Sequence, residues 1–185
     1  MVSDEQSVTE QQKQRARDYM AKSRNDLADA ARVSEAQSAF RAGDGQWSIA
    51  EIVEHLGITE GVFLKMIAPK LSGPAQEEDE QKPRFTDEEI IAMLPQRANK
   101  FAAPERVRPK SETSLPDAIH IFLEHSAANN NFLETCETLR GRTAKHPVFG
   151  PLDGYLWCLV MAGHRERHRK QIEEIRSHAE FPANG

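Results

Sequence analysis

Two histidines one helical turn apart, in the stretch GHRERHRKQI at residues 163–172, are the first candidates for chemistry. At about 100° per residue, His164 and His168 fall in the same narrow arc as Trp157, Met161 and Ile172, so they lie on an apolar face. An i, i+4 pair of imidazoles can hold one divalent ion, as in zinc-binding HExxH helices. The spacing alone is a weak signal, and a pair of hydrogen-bonded core histidines is the alternative.

A third histidine lies in the stretch WSIAEIVEHL at residues 47–56. His55 shares the apolar stripe of its helix with Ile52 and Ile58. Burying three imidazoles is costly unless each donor and acceptor finds a partner, and a metal ion would satisfy three nitrogens at once. Three protein ligands leave a coordination position open, which is typical of catalytic zinc. The pattern does not establish that the two helices face each other.

Three polar residues near the histidines are candidates for supporting roles. Glu51 lies one turn before His55 and is a candidate base or partner of the ring, although it also completes a capping box with Ser48. Gln171 lies within the arc of the histidine pair. Arg167 lies beside it and is a candidate to pair with Glu51 or Glu54 across the bundle. Both are equally compatible with a structural role.

The histidines require helices to position them, and the sequence predicts an all-α fold. Alternation of period two is nearly absent, and segments rich in helix-forming residues recur between Gly and Pro clusters. Four long helices in a four-helix bundle are expected, with a long 71–112 connection in which Thr86 and Glu89 cap a short helix. The first helix is expected over roughly 8–40, and the second from Trp47 to Pro69 and Gly73, which close it. The third is expected from Ser114, with Pro116 in its first turn, to Gly141. The fourth is expected from about Leu152 to His178.

Composition excludes several classes of protein. The chain has 185 residues, with 24 basic and 29 acidic side chains and a net charge of −5, and its basic residues are scattered. Nucleic-acid binding is therefore not expected. There is no apolar run of about 18 residues and no signal-peptide pattern, so we expect no membrane partner and a cytoplasmic location. Residues 1–185 are expected to form one domain.

The remaining titratable candidates have weaker claims to a role. Cys136 and Cys158 are isolated and are predicted to be small buried fillers, so metal ligands should be nitrogen and oxygen. The other histidines are expected at the surface or as caps: His120, His125, His146 and His178. No GxSxG elbow or glycine-rich phosphate loop occurs, so any chemistry would depend on the metal.

Three blocks together resemble the DinB-like superfamily of four-helix-bundle metalloproteins: WSIAEIVEHL, HPVFGPLDGYLWCLVMAGH and HRERHRKQI. The resemblance extends from about residue 10 to 178 and is weakest over 71–112. It implies that His55, His164 and His168 bind a divalent metal ion, commonly zinc or nickel, with water in the open positions. All three positions are histidines here, whereas some members carry a carboxylate at the first position of the HxxxH pair.

The resemblance also implies a function for the open three-histidine site. The implied protein is a metal-dependent hydrolase or an S-transferase that uses a low-molecular-weight thiol. The resemblance further implies a small-molecule substrate and a homodimer. A non-catalytic metal-binding or stress-related bundle is the alternative, and a plain bundle with satisfied core histidines is the third hypothesis. The 71–112 connection and the 141–154 loop are expected to line the mouth of the pocket, and Gly163 is expected to let a neighbouring helix approach closely.

Overall fold

Long helices dominate the fold. The computed structural model describes residues 7–74, 82–98 and 102–183. In this part of the chain the helices are accompanied by one short two-stranded hairpin, by a π-helical segment at Phe63–Ile67 and by a 3-10 turn at Glu105–Val107. The elements in chain order are α1 (Glu10–Ala30), α2 (Glu35–Ala39), α3 (Ile49–Val62), α4 (Ala68–Ser72), α5 (Asp87–Met93), α6 (Leu115–Thr135), β1 (Thr143–His146), β2 (Gly150–Asp153) and α7 (Gly154–Arg176).

The bundle is built from two closely packed helix pairs. Helix α3 packs most extensively against α6, and α1 against α7, while further contacts join α3 to α7. Buried apolar side chains from all four helices fill the interior, including Met20, Leu27, Ile52, Phe122 and Leu159. The predicted four-helix bundle is confirmed. None of the described helices combines the length and the apolarity needed to cross a membrane.

Local capping signals set several helix starts where the sequence predicts them. The side chains of Ser48 and Thr86 accept hydrogen bonds from the backbone three residues later, and Glu51 and Glu89 complete both capping boxes. Ser114 caps α6 in the same way, with proline in the first turn. Each signal depends only on neighbouring residues, which explains why the prediction holds.

Two predicted helix boundaries are wrong. One continuous helix over roughly 8–40 is not present: α1 ends at Ala30, and another capping box, formed by Ser34 and Gln37, opens the separate helix α2. The third helix ends at Thr135 and not at Gly141. Residues after Thr135 turn towards the hairpin, so Gly141 lies in a loop.

The second long helix passes through a π-helical segment before Pro69. Proline has no N–H group, and in a regular helix its ring would collide with the carbonyl four residues earlier. The wider turn at Phe63–Ile67, closed by the Ala68 N–H donating to the Phe63 carbonyl, precedes Pro69 and accommodates it. The helix then continues as α4 and ends at Gly73, as predicted.

The helical interpretation missed a β-hairpin. Strands β1 and β2 pair antiparallel from Thr143 opposite Asp153 to His146 opposite Gly150. Gly150 has a φ of 75°, which favours glycine, and it lets the chain reverse. Helix α7 begins at Gly154, capped by Asp153, within two residues of the predicted start at about Leu152. The short hairpin changes the all-α prediction only locally.

A buried ion pair joins all four long helices at one point. Arg165 of α7 and Glu60 of α3 are fully buried and form two hydrogen bonds, at 2.6 and 2.8 Å. The second Arg165 amino group donates to the Met20 carbonyl of α1 at 3.0 Å. Asn129 of α6 donates to Glu60 at 2.8 Å. We call Arg165, Glu60, Asn129 and the Met20 carbonyl the polar node.

Glycine permits close approach at two helix faces. A Cβ atom on Gly61 would lie 2.8 Å from Cε1 of His125, whose Nδ1 donates to the Gly57 carbonyl at 2.8 Å. His125 thus joins α6 to α3. A Cβ atom on Gly163 would lie 2.7 Å from Cβ of Leu94, the residue that follows α5. The close approach expected at Gly163 is therefore present, and it brings the end of α5 against α7.

Gly163→Ala is expected to destabilise the protein by about 1–3 kcal/mol, because the added methyl group must displace Leu94 from a well-packed position. Urea unfolding measures the change. Gly141→Ala is the matched control, since its Cβ would come no closer than 3.8 Å to Cβ of Thr138. Equal stability of the two variants would contradict the prediction.

Candidate metal centre

Three imidazoles converge between α3 and α7. Nε2 of His164 lies 3.0 Å from Nε2 of His168 and 3.4 Å from Nε2 of His55. One nitrogen from each of the three residues lies within 4.8 Å of the others. The structure therefore brings together the three histidines that the sequence singles out.

Hydrogen bonds fix the orientation of two of the rings. Nδ1 of His55 donates to the Val107 carbonyl at 2.6 Å. Nδ1 of His168 donates to Oε1 of Gln171 at 2.9 Å, and the same oxygen accepts from Arg97 at 3.2 Å. Because these oxygens can only accept, Nδ1 carries the proton in both neutral rings. The Nε2 lone pairs of His55 and His168 consequently point into the cluster.

The donor set fits a metal ion better than it fits the protein alone. With Nδ1 protonated in His55 and His168, their Nε2 atoms can only accept, and a single N–H group on His164 can satisfy only one of them. One cation would satisfy all three lone pairs. Two nitrogen ligands at about 2.0–2.1 Å from zinc are about 2.8–3.4 Å apart at octahedral to tetrahedral angles. The two separations from Nε2 of His164, 3.4 and 3.0 Å, agree with this spacing.

Burial keeps the cluster neutral. Loss of hydration is the largest cause that lowers the pKa of His55, and it holds the pKa values of His164 and His168 well below the ordinary value of 6.5. Repulsion between the rings adds to the effect on His164 and His168. Neutral imidazole is the form that binds metal, so the environment favours the ligand state at neutral pH.

Metal-free protein is expected to lose stability as the pH falls below about 6.5. The folded-state pKa values of the three histidines are lowered, so the unfolded chain, with pKa values near 6.5, binds more protons. The stability that the three neutral histidines contribute is thus fully present above about pH 6.5 and is lost as the pH falls below that value. Urea unfolding between pH 7.5 and 5 tests this, and the His164→Asn variant should show a shallower fall. Identical profiles would contradict it.

The cluster is covered on one side and more open on the other. His55 and His168 are buried, whereas His164 is partly exposed. The Trp47 ring covers the buried side, with its centroid 4.8 Å from that of His55 and 6.3 Å from that of His168. Access from solvent is therefore on the His164 side.

Glu51 and Glu54 anchor the segment that carries the Val107 carbonyl. Glu51 accepts from the Ser48 N–H, from Arg41 and from the Ser111 hydroxyl, and Glu54 accepts from the Ser111 N–H and from Thr113. Ser111 adopts a φ of 60°, rare for serine, within this contact. Glu51 has no hydrogen bond to the histidines, so the structure favours its capping role over that of a base.

The predicted contacts of Arg167 and Gln171 have opposite outcomes. Pairing of Arg167 with Glu51 or Glu54 is wrong, because other residues occupy both carboxylates and Arg167 donates to the Gln96 carbonyl. Gln171 does contact the histidine pair, through Nδ1 of His168. Gln171 thus has the geometry of a supporting residue.

The two cysteines are both buried, as predicted, and unbridged. Burial raises the pKa of Cys158 far above its ordinary value, so this thiol is not a nucleophile near neutral pH. His120 is exposed, and His178 packs against Phe40 near the chain end, with the two rings tilted. Neither cysteine is hydrogen-bonded to the candidate centre.

Sequence reasoning missed three residues near the centre: Arg97, Val107 and His146. Val107 acts through its backbone carbonyl, which leaves no sequence signal. Arg97 and Val107 do come from the 71–112 connection, and His146 from the 141–154 loop, where the mouth of a pocket was expected. His146 could have been suspected because it lies in the block HPVFGPLDG that precedes the helix of the histidine pair.

Comparison with known proteins is consistent with this geometry. The family model described as the DinB superfamily matches residues 15–172, which include all three histidines. Among curated proteins, the uncharacterized protein YuaE of Bacillus subtilis (strain 168) is 27% identical over 139 residues, covering 73% of this chain and 80% of YuaE.

A solved structure shares the fold. YfiT from Bacillus subtilis superposes with a TM-score of 0.60 at 15% identity, covering 92% of this chain and 89% of YfiT. YfiT is described as a probable metal-dependent hydrolase with an unusual four-helix bundle topology. At this level of identity, the likeness establishes the fold.

Proposed function

Since this chain belongs to the DinB superfamily, we propose that it is a metal-dependent hydrolase whose divalent ion is held by His55, His164 and His168. Zinc and nickel are among the ions that imidazole ligands suit. The substrate is a small molecule that reaches the centre from the His164 side. The proposal goes beyond the family assignment, because it assigns the ligands and a class of reaction.

The convergence of three Nε2 atoms carries the proposal. The separations of 3.0 and 3.4 Å, combined with Nδ1 hydrogen bonds that leave acceptor-only nitrogens, describe a site that a cation completes. Ordinary core histidines would instead be paired with complementary donors and acceptors. Here, one acceptor nitrogen of the cluster is left without a hydrogen-bond donor.

The chain's own residues hold and shield the centre. The Val107 carbonyl and Gln171 orient two rings, and Arg97 fixes the amide of Gln171. Such outer partners raise the basicity of the ligating nitrogen. Trp47 packs against the covered side. The chemistry that a divalent cation supplies when bound is polarisation of a substrate oxygen and activation of water near neutral pH.

An S-transferase would need a thiol from outside the chain. Both cysteines are buried, so neither can serve as the nucleophile. The likeness to YfiT, described as a probable metal-dependent hydrolase, supports hydrolysis as the first choice. A low-molecular-weight thiol as second substrate is therefore tested within the same experiment, and the homodimer implied by the resemblance is checked by light scattering.

Metal content and metal-dependent turnover test the proposal. Purified protein should carry about one divalent ion per chain by plasma mass spectrometry, and zinc or nickel should raise the melting temperature of chelator-treated protein. A panel of small esters, amides and phosphoesters is then assayed with and without chelator, and with and without added thiol. Turnover that chelation removes and metal restores supports hydrolysis, and turnover only with thiol supports transfer.

Two outcomes would contradict the proposal. Metal-free protein whose melting temperature does not respond to zinc or nickel would indicate a plain helical bundle. Stoichiometric metal without turnover on any substrate would favour the non-catalytic metal-binding alternative.

A further inference from the structure

His146 is held at the end of β1 in one tautomer. Its Nδ1 accepts hydrogen bonds from the N–H groups of Val148 at 3.1 Å and Phe149 at 3.2 Å. Since Nδ1 is an acceptor, the proton of the neutral ring is on Nε2. Burial lowers the pKa of His146 to about 4, so the ring is neutral near pH 7. His146 therefore presents one oriented N–H donor.

Ring contacts place His146 beside α7, the helix that carries two of the clustered histidines. The His146 ring packs against Trp157, with centroids 5.1 Å apart, and against Phe149 at 4.9 Å. Trp157 precedes His164 by seven residues, which is two turns on nearly the same face of α7. Side chains on a helix lean towards its N-terminus, so His164 leans towards the Trp157 end.

The chain order agrees with this placement. The hairpin that carries His146 leads directly into α7, the helix of His164 and His168. The His146 ring thus lies beside the N-terminal part of α7, and His164, the partly exposed member of the cluster, follows Trp157 by two turns.

Capping of the turn accounts for only one of the two ring nitrogens of His146. Capping uses Nδ1, whereas Nε2 has no acceptor in the described residues 7–74, 82–98 and 102–183. The ring is partly exposed, so this N–H group can reach a bound molecule. An asparagine would cap the turn equally well but would not extend a donor to the Nε2 position.

We propose that His146 is a substrate-binding residue whose Nε2–H group donates to a carbonyl or carboxylate oxygen of the molecule bound at the open side of His55, His164 and His168. This inference rests on the proposed function, because it requires a metal at the cluster. The donor would hold the oxygen of a substrate on the side of the centre that faces the N-terminal end of α7. A neutral donor serves this purpose without adding charge to the site.

Acetohydroxamate, a metal-binding molecule with a carbonyl oxygen, is the probe. It is titrated into cobalt-loaded protein, and visible absorption reports its Kd. The His146→Asn variant keeps an acceptor for the turn and loses the Nε2 donor, so its Kd should rise about two- to tenfold, the effect of one hydrogen bond. The His146→Gln variant, which restores a donor, should recover part of the affinity. Cobalt affinity and melting temperature should not change.

Results against the two proposals are distinguishable. Wild-type protein that fails to bind cobalt would overturn the proposed function and this inference with it. Normal cobalt binding with an unchanged Kd for acetohydroxamate in His146→Asn would overturn this inference alone. A measurement on wild-type protein adds a check independent of folding: in the zinc-loaded form, the His146 Nε2–H resonance should shift when acetohydroxamate is added, and a resonance that does not move would count against it.

Discussion

His164→Ala is expected to lower the affinity of the protein for zinc or nickel by more than about 100-fold, because His164 supplies the central nitrogen of the cluster. Its Nε2 lies within 3.4 Å of both other Nε2 atoms, so its loss leaves two nitrogens with no third partner. Removing a supporting residue typically costs 10–100-fold in metal affinity, and removing a ligand should cost more. Competition with a chromophoric chelator measures the affinity.

Two further variants serve as comparisons for His164→Ala. Gln171→Leu removes the acceptor for Nδ1 of His168 but keeps all three ligands, so the affinity should fall by about 10–100-fold. His120→Ala removes an exposed histidine of α6 and should leave the affinity unchanged. Retention of full affinity by His164→Ala, with His120→Ala as the reference, would place the metal elsewhere.

Arg165→Met is expected to destabilise the protein by about 3–5 kcal/mol. The substitution leaves the Glu60 carboxylate fully buried with Asn129 as its remaining hydrogen-bond partner, and an uncompensated buried charge is costly. Urea unfolding of the metal-free protein measures the loss. A change below about 1 kcal/mol would show that the pair contributes no more than a surface ion pair.

A double variant separates the charge effect from the loss of packing. Arg165→Met combined with Glu60→Gln removes both charges, so it should be considerably less destabilised than the sum of the two single variants. Arg15→Ala is the control, since its pair with Glu88 is solvent-exposed and should contribute at most about 1 kcal/mol. Strict additivity in the double variant would contradict a coupled buried pair.

Helix starts and the histidine cluster could be predicted because their signals are local or periodic. The capping boxes at Ser48 and Thr86 depend on residues three positions apart. The apolar stripes place His55 and His168 facing the core of the bundle, and the structure buries both. That the two stripes face each other does not follow from periodicity. It was implied by the resemblance of the sequence blocks.

The hairpin and the buried ion pair could not be predicted in the same way. Each strand has four residues, too few to establish alternation, and β2 includes a proline. Arg165 is one of several charged residues on α7, and charge alone does not show which side chain is buried. One sequence signal existed: Ser126 and Asn129 interrupt the buried stripe that includes Phe122 and Leu133.

The polar node also determines how the four helices are aligned along the bundle axis. Sliding one helix by a turn, about 5.4 Å, past its neighbours would separate Arg165 from Glu60 and leave charge in the apolar interior. Purely apolar contacts would tolerate such a slip far better. Arg165 directly follows His164, and Glu60 lies five residues after His55, so the alignment that pairs the charges also sets the relative heights of the imidazoles. The polar node thus fixes the axial register of α3 and α7, and with it the relative positions of the ligands in the candidate metal centre.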